Sequence, residues 1–389
     1  MPRYPFKSIW KRTLVACLDG VGCVLSLPLR VFRKRLDLAA INRILVIRLD
    51  HIGDVVMSRP AIRALHKKFP HSTIDLLITD DIVPLFKDDP DIQNVIPAKH
   101  GLFNRKASFF QKWNEFWRLR GILSAKTYDL GIDLRGDLRN ILLMSLAGVR
   151  HTIGYGNAGG GFLLSEEAAQ VEGRHQVERN LTLLKTFHIS QEDKLLPFEY
   201  SKETARHFRE KTAILPPATL LPRIAIHMGS GYPSKRWPFD NFKALIQKID
   251  REAIAQIVLI GTSAEKASMP DLESSSERLI DLRGITDLRD LPVLLDVCDI
   301  FIGNDSGPAH IAAAQGLEIL LLASGTNDIR LWHPWTERLT LLRHEVPCSP
   351  CDQEFCPIEG HPCVTNISVD QAHNALLSIL GRLQKRTTA

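Results

Sequence analysis

Short β-branched runs alternate with helical segments twice along this chain of 389 residues, and this alternation constrains the fold more than any other feature. The first series predicts strands over 44–47, 72–78, 94–97 and 128–133. The second series predicts strands over 223–227, 256–260, 279–282, 299–303 and 317–323. Helical periodicity follows the first strand and recurs over 113–123, 239–250, 288–297 and 308–315. Strands separated by helices in this way indicate parallel sheets with helices on both faces.

A proline-rich stretch over about 190–222 separates the two series, and we interpret it as the inter-domain connection. The sequence therefore predicts an α/β protein with two Rossmann-like, doubly wound domains that face each other across a cleft. We expect these domains to cover 43–200 and 222–367, with a basic, apolar segment over 1–42 and a last helix over 368–389. Ligands of such sheets bind at the carboxyl ends of the strands, so the cleft is the expected site.

The net charge of +5 comes from the N-terminal end of the chain. Residues 1–36 contain one acid, Asp19, and the following basic residues: Arg3, Lys7, Lys11, Arg12, Arg30, Arg33, Lys34 and Arg35. In the rest of the chain acids slightly outnumber bases. This distribution does not indicate a basic face for nucleic acid, and we expect no nucleic-acid partner.

An apolar stretch over 13–29 lies between these basic groups and is interrupted by Asp19. A membrane-spanning helix needs about 20 apolar residues and tolerates a central Asp poorly. We interpret the stretch as an interfacial helix or hairpin on the inner face of the cytoplasmic membrane. Five side chains would then face the acyl chains: Trp10, Leu14, Leu18, Val21 and Leu25. The alternative is a helix that packs on the protein's own body.

The cysteines are few and odd in number, seven in all, which is typical of a reducing compartment. Four of them are closely spaced in a proline-rich loop: Cys348, Cys351, Cys356 and Cys363. Such a spacing can ligate zinc or an iron–sulfur cluster. A second tight Cys-x2-Cys pair is missing, so we interpret the four as buried or free thiols and expect no metal site.

A carboxylate follows the first strand, in the sequence Arg48-Leu-Asp-His-Ile-Gly-Asp54. Gly53 permits a tight turn, and Asp54 is then expected to begin the helix. This places the carboxylate at the edge of the sheet where ligands bind. The structural alternative is an N-cap Asp, which contributes about 1 kcal/mol to helix stability.

Two loops of the second series are typical of phosphate sites. In Asn304-Asp-Ser-Gly-Pro-Ala-His310, Asp305 or Ser306 is expected to cap a helix whose first N–H groups, beside Gly307, form an anion site that His310 can reach. The loop from His227 to Pro238 carries Lys235, which can neutralise phosphate. Two such loops favour a nucleoside diphosphate. Glu265 follows another strand and either binds ribose hydroxyls or begins a helix.

The sequence Gly154-Tyr-Gly-Asn-Ala-Gly159 matches the dinucleotide-binding pattern G-x-G-x-x-G. No convincing strand is predicted before it and no helix after it, so we do not interpret it as a dinucleotide site.

Taken together, the motif at 48–56, Pro60-Ala-Ile-Arg-Ala-Leu65, the sequence from Ser230 to Pro238 and Gly303 to His310 resemble glycosyltransferase family 9, the heptosyltransferase family. The cysteine loop is also similar to one in many members. The resemblance implies a GT-B fold and the inverting transfer of a sugar, usually L-glycero-D-manno-heptose from ADP-heptose, onto the lipopolysaccharide inner core. Its partners would be a sugar nucleotide and a lipid-linked saccharide acceptor, with no cofactor required.

The resemblance also implies roles for individual residues. Asp54 matches the general base, and the donor would contact Ser230, Lys235, Glu265, Asp305, Ser306, Gly307 and His310. The first motif departs from the best-known members at Asp50-His51 and at Met57-Ser-Arg59, beside the acceptor position. The acceptor and the heptose are therefore left open by the sequence.

Four residues are weaker candidates for acceptor binding: His51, Gly53, Arg135 and Arg139. The two arginines could hold acceptor phosphates, or they could pair with Asp133 or Asp137. Two other function classes remain at this point: a GT-B-fold sugar-nucleotide epimerase, and a non-catalytic protein that binds sugar nucleotides or lipid.

Overall fold

The computed structural model describes residues 8–31, 36–99, 108–169, 173–189, 195, 197–216, 220–269 and 276–387. The chain divides into two compact units, Met1–Lys194 and Leu195–Ala389. Each unit contains a parallel sheet of six strands, which confirms the predicted α/β class with two doubly wound sheets.

The sheet of the first unit has the strand order β3-β2-β1-β4-β5-β6. Its strands are β1 (Arg43–Ile47), β2 (Thr73–Thr79), β3 (Asn94–Ala98), β4 (Leu130–Asp133), β5 (His151–Gly154) and β6 (Glu166–Glu167). Its helices are α1 (Ile9–Val31), α2 (Ile52–Val56), α3 (Arg59–Lys68), α4 (Val83–Phe86), α5 (Phe109–Ser124), α6 (Leu138–Leu146) and α7 (Gln176–Thr182).

Strand β1 lies in the middle of this sheet, paired with β2 on one side and β4 on the other. Ile44 and Ile47 are fully buried, which explains why this run was recognisable in the sequence. The strand order reverses between β1 and β4, and ligands of doubly wound sheets bind beyond the carboxyl ends of the strands at such a point. Asp54 follows β1 at this edge.

The sheet of the second unit has the order β12-β11-β10-β7-β8-β9. Its strands are β7 (Arg223–His227), β8 (Gln256–Ile260), β9 (Leu279–Asp281), β10 (Ile300–Asn304), β11 (Glu318–Ala323) and β12 (Leu339–Arg343). Its helices are α8 (Lys202–Lys211), α9 (Phe239–Glu252), α10 (Ser263–Ser268), α11 (Leu291–Asp296), α12 (Gly307–Ala314), α13 (Ile329–Trp332), α14 (Pro362–Thr365) and α15 (Val369–Thr387). Here the order reverses between β7 and β10, where the two phosphate-type loops begin.

The last helix, α15, packs on α9 and belongs to the core of the second unit through Ala372, Leu376 and Ile379. Ser368 and Gln371 exchange side-chain-to-backbone hydrogen bonds at its start. This is a capping box, and the predicted beginning of the helix is confirmed.

The glycine motif at 154–159 is preceded by strand β5, so the prediction that no strand leads into it is wrong. The strand was missed because it has only four residues and contains His and Gly. A short 3-10 helix, Gly161–Leu163, follows the motif instead of an α-helix. Gly159 and Gly160 have positive φ angles of 94° and 81°. The backbone N–H of Gly160 donates to the carboxylate of Asp19 in α1. Helix α1 of the same chain therefore packs against this loop.

One face of helix α1 lies against this glycine loop. A Cβ atom built on Gly22 would come within 2.4 Å of the Phe162 ring, so the approach requires a glycine. The opposite face exposes the five predicted side chains, Trp10, Leu14, Leu18, Val21 and Leu25. The helix thus packs on the protein's own body, as the alternative prediction stated, and still presents an apolar face to the outside.

Five of the basic residues assigned to membrane contact, Arg3, Lys7, Arg33, Lys34 and Arg35, lie outside the described residues, as do the side chains of Lys11 and Arg30. Among the helices that the structure describes, none has the length and apolar character needed to cross a membrane.

Candidate functional site

The candidate base of the first unit, Asp54, forms a buried ion pair with Arg48. Arg48 Nη2 lies 3.0 Å from Asp54 Oδ1, and Arg48 Nη1 donates to the carbonyl oxygen of Leu134. Helix α2 begins one residue after His51, which occupies the N-cap position. Asp54 lies in the first turn of α2, as expected, but it does not cap the helix, because its side chain is held by Arg48.

Burial raises the pKa of Asp54 to about 6, and the negative charge of Asp50 acts in the same direction. The cation of Arg48 opposes both effects. At neutral pH the carboxylate is ionised and yet more basic than an ordinary Asp. These are the properties that a general base needs to accept a proton from a hydroxyl group.

A pH profile checks this assignment. A base with a pKa near 6 must be deprotonated to act, so we expect kcat/KM to fall about tenfold for each pH unit below that value. An Asp with an ordinary pKa would place the same limb near 4. An acidic limb centred near 4 in a protein that remains folded would contradict the role of Asp54.

The four weaker acceptor candidates occupy the same edge of the first unit. His51 is exposed and Gly53 is buried within α2. Arg135 Nη1 lies 3.5 Å from Asp50 Oδ1, and Arg139 makes a two-point ion pair with Asp137, with its Nη2 at 2.7 Å. Arg139 is thus engaged in the pairing that was the alternative to acceptor binding.

Asp133 builds the loop that carries these arginines, and sequence reasoning missed this role. Its buried carboxylate accepts hydrogen bonds from the backbone N–H groups of Arg135, Gly136 and Asp137 and from the Asn140 side chain. An Asp at the end of a strand, followed by Gly three residues later, was the available signal.

Arg179 is a second residue that the sequence did not reveal. Its guanidinium lies 5.7 Å from the centre of the Tyr155 ring, and its buried Nε atom has no hydrogen-bond partner among the described residues. Burial lowers its pKa, and the charge of Arg48 acts in the same direction. Arg179 therefore lies within electrostatic range of Arg48.

In the second unit, Asp305 joins the residues expected to bind the diphosphate. Lys235 Nζ and Asn327 Nδ2 each lie 2.8 Å from Asp305 Oδ2. Ser230 Oγ donates to the backbone carbonyl of Asp305 at 3.3 Å. Burial disfavours the charged carboxylate, but Lys235 and His310 together hold the pKa of Asp305 below its usual value. The ionised Asp305 therefore positions Lys235 and Asn327.

Ser306 occupies the N-cap position of α12, as one of the two expected residues, but its side chain makes no cap hydrogen bond. Asp305 is taken by Lys235 and Asn327, whereas Ser306 Oγ donates to the Asn304 carbonyl and lies 3.1 Å from His227 Nδ1. Because the first N–H groups of a helix have no intrahelical partner, this start remains suited to an anion.

His310 lies one turn inside α12 and is buried. Burial lowers its pKa to about 4, so the ring is neutral at physiological pH. Its Nε2 atom lies 3.9 Å from Asp305 Oδ1, too far for a hydrogen bond. Its Nδ1 atom is buried and has no hydrogen-bond partner within the described part of the chain.

Glu265 forms a capping box with Thr262 at the start of α10. Although burial opposes ionisation, the hydrogen bond and charge of His227 lower the pKa of Glu265 to about 2. Glu265 Oε1 lies 3.4 Å from His227 Nε2. A Cβ on Gly229 would lie 1.6 Å from this carboxylate oxygen, so the close approach of the loop requires glycine there. Glu265 both begins the helix and presents an ionised carboxylate beside the anion site.

The cysteine-bearing loop supports the loop that carries Lys235. Ser234 donates through its backbone N–H to the Glu354 carbonyl and through its hydroxyl to the Gln353 carbonyl. Cys351 donates through its backbone N–H to the carbonyl of Gly325. All seven cysteines are free thiols, and no cluster of His, Cys, Asp or Glu within the described ranges could hold a metal ion.

Two doubly wound units, each with a parallel six-stranded sheet, are the architecture of the GT-B class of glycosyltransferases. The chain belongs to glycosyltransferase family 9 (heptosyltransferase), whose sequence model matches residues 116–361. Lys235, Glu265 and the segment from Asp305 to His310 fall inside this range, and Asp54 precedes it.

Named relatives agree with this membership. The chain is 28% identical over 294 residues to lipopolysaccharide heptosyltransferase 3 of Escherichia coli, covering 74% of this chain and 83% of the relative. It is 25% identical over 318 residues to lipooligosaccharide heptosyltransferase 2 of Haemophilus influenzae, covering 77% and 88%.

Solved structures share the fold. A family 9 glycosyltransferase from Veillonella parvula matches with a TM-score of 0.75 at 21% identity, covering 90% of this chain and 99% of the other. The ADP-heptose lipopolysaccharide heptosyltransferase II of Escherichia coli matches with a TM-score of 0.70 at 21% identity, covering 88% and 99%.

Proposed function

We propose that this enzyme transfers a heptose from ADP-heptose to the lipopolysaccharide core or a related glycolipid, with inversion at the anomeric carbon. The main observation for the donor is the arrangement in the second unit, where Lys235, the start of α12 and His310 lie around Asp305. The Nδ1 atom of His310 has no hydrogen-bond partner among the described residues. Support for the sugar comes from the relatives, one of which is named for ADP-heptose.

The reaction is a single displacement. The acceptor hydroxyl passes its proton to Asp54 while its oxygen forms the new bond to the anomeric carbon. The bond from that carbon to the diphosphate oxygen breaks, and its electron pair leaves with the nucleoside diphosphate. Lys235 and the N–H groups of α12 stabilise the charge of this leaving group.

Arg48 orients Asp54 and lies within electrostatic range of a second cation, Arg179. We propose that these cations favour an anionic group on the acceptor, such as a phosphate or a carboxylate. His51, Gly53, Arg135 and Arg139 remain proposed acceptor contacts, and Ser230, Glu265 and Ser306 remain proposed donor contacts.

Thermal unfolding with a panel of ADP-, UDP- and GDP-sugars tests the donor. A ligand at 100 times its dissociation constant stabilises the native state by about 2.7 kcal/mol. We expect ADP-heptose to raise the unfolding temperature, with UDP- and GDP-sugars having little effect. Stabilisation by a UDP-sugar alone would overturn the assignment of the donor.

We further propose that the enzyme is peripheral on the inner face of the cytoplasmic membrane, where a growing lipid-linked acceptor lies. The support is the apolar face of α1 together with the basic residues on either side of it. Buried apolar side chains contribute a salt-insensitive part of the binding energy, and basic residues near anionic lipid add about 1 kcal/mol each, which salt screens.

This location has its own test. We expect the full-length protein to sediment with anionic vesicles and to be released in part by high salt. A shortened protein starting at Arg43, where β1 begins, should stay folded and in the supernatant. If the full-length protein ignores vesicles, or if the shortened one unfolds, α1 is instead part of the fold of the first unit.

A further inference from the structure

Helix α5 of the first unit exposes a group of aromatic side chains, here called the aromatic stripe: Phe109, Phe110, Trp113 and Trp117. Their exposed fractions are 71%, 75%, 51% and 43%, respectively. The rings contact one another, with Phe109 stacked on Trp113 at 6.0 Å and Trp113 edge-on to Trp117 at 5.7 Å. The inner face of the same helix is filled by Leu119 and Leu123, which are fully buried. The aromatic stripe is therefore not part of the hydrophobic core of the first unit.

The charges around the stripe identify the chemistry of its partner. Helix α5 carries three cations, Lys112, Arg118 and Arg120, and a single acid, Glu115. Glu115 is buried and is bound by Arg118 and by the backbone N–H of Lys99. With Glu115 and Arg118 paired, the other charged side chains of α5 are Lys112 and Arg120, and both are positive. Trp and Phe next to Lys and Arg are typical of helices that lie at the headgroup level of an anionic bilayer.

A second copy of the chain fits this surface less well. A two-fold interface brings the same patch of both copies together. It would place Lys112 and Arg120 of one copy near their counterparts in the other, and like charges across an interface are unfavourable.

The place of α5 in the fold connects the stripe with α1. Helix α5 packs on α6, α6 packs on the 3-10 helix Gly161–Leu163, and α1 packs on that same 3-10 helix. Buried residues of α5 and α6 share one core cluster with Leu164, next to the 3-10 helix. The two helices that carry the apolar surfaces are therefore connected through α6 and the 3-10 helix within the first unit.

We propose that the aromatic stripe is a second lipid-contacting surface, which binds the headgroup region of an anionic bilayer while α1 makes the first contact. This deepens, and rests on, the proposed membrane location. One helix alone leaves a protein free to rotate about its attachment. Two attachments on one compact unit would fix the orientation of the first unit, and with it the edge that carries Asp54, relative to a lipid-linked acceptor.

Tryptophan fluorescence tests the proposal in the full-length protein with vesicles of phosphatidylcholine and brominated phosphatidylglycerol. Bromine quenches tryptophans that enter the lipid, and Trp10 of α1 and the pair Trp113 and Trp117 are the reporters. In W10F we expect quenching to persist, because the stripe still inserts. In W113F/W117F the remaining quenching should come from Trp10. If the W10F protein binds vesicles but shows no quenching, the aromatic stripe does not enter the lipid and the proposal is overturned. The contact made by α1 would remain possible.

A sedimentation assay with the same lipids measures the contribution of the stripe. We expect W113Q/W117Q to weaken vesicle binding about tenfold or more, since both aromatic rings would no longer be removed from water by the lipid. Phe355→Gln, at an exposed aromatic residue of the second unit, is the matched control and should bind as the wild type does. A change in oligomeric state without a change in vesicle binding would assign the stripe to a second copy and overturn the proposal. Failure of every protein to bind vesicles would remove the membrane location itself, without touching the sugar-transfer function.

Discussion

Replacing Asp54 by Asn is expected to lower turnover by roughly 10²–10⁴-fold, the usual range for loss of a general base. The amide has nearly the same shape and can still contact Arg48, which lies 3.0 Å from the carboxylate. Folding and donor affinity should therefore change little. Single-turnover measurements with a saturating donor, together with calorimetric titration of ADP, separate the chemical step from binding.

Asp50→Asn is the matched control, since it removes a neighbouring carboxylate that raises the pKa of Asp54. It should keep turnover within about threefold of the wild type and move the acidic limb of the pH profile downwards. An Asp54→Asn enzyme that turns over as fast as this control would remove Asp54 from the mechanism.

Replacing Lys235 or His310 by Ala is expected to weaken ADP binding by roughly 10–100-fold and AMP binding much less. Lys235 contributes a charge-assisted contact, and His310 contributes a neutral ring whose Nδ1 atom lacks a partner in the described protein. Both are assigned to the diphosphate, so the monophosphate should lose less. Isothermal calorimetry with the two nucleotides measures the difference.

Lys248→Ala provides the comparison for these variants, because Lys248 pairs with Asp370 on the exterior of the same unit. Lys235→Ala also leaves Asp305 without its cation, so the unfolding temperature must be followed in parallel. Equal losses for ADP and AMP in a variant that remains folded would place these residues away from the diphosphate.

Much of the fold could be predicted because the central strands are short, buried and strongly apolar. Strands such as β1, β7 and β10 are flanked by neighbours on both sides, and their runs of Ile, Leu and Val record that burial. Strands β5, β6 and β12 were not predicted. They lie at or near sheet edges, and β6 has only two residues, both Glu. Edge strands bury less, so their sequences carry a weaker apolar pattern.

The site could be predicted to the level of loops but not of side-chain partners. Position after a strand identified Asp54, Lys235 and His310. The partner of Lys235, however, is Asp305, which lies 70 residues further along the chain. The reversal of strand order between β7 and β10 brings such residues together in space. Local sequence patterns do not encode this proximity. For the same reason Asp305 does not cap α12 as expected, because its carboxylate binds Lys235 and Asn327 instead.

Helix α1 shows how two competing interpretations can both contain part of the answer. Asp19 was treated as a residue that disfavours a membrane span, and the structure gives it a partner in the backbone of Gly160. Gly159, the last residue of the pattern that resembled a nucleotide motif, and its neighbour Gly160 allow this approach. A cluster of glycines indicates that another group approaches the backbone closely. The glycines alone do not show whether that group is a ligand or a helix of the same protein.

The most direct test of the central claim is an assay of the purified enzyme with ADP-heptose and a core glycolipid acceptor, with the product analysed by mass spectrometry and nuclear magnetic resonance. We predict transfer of one heptose with inverted anomeric configuration, release of ADP that depends on the acceptor, and loss of transfer in Asp54→Asn. Retained configuration, or conversion of the donor to an epimer without acceptor, would contradict the account.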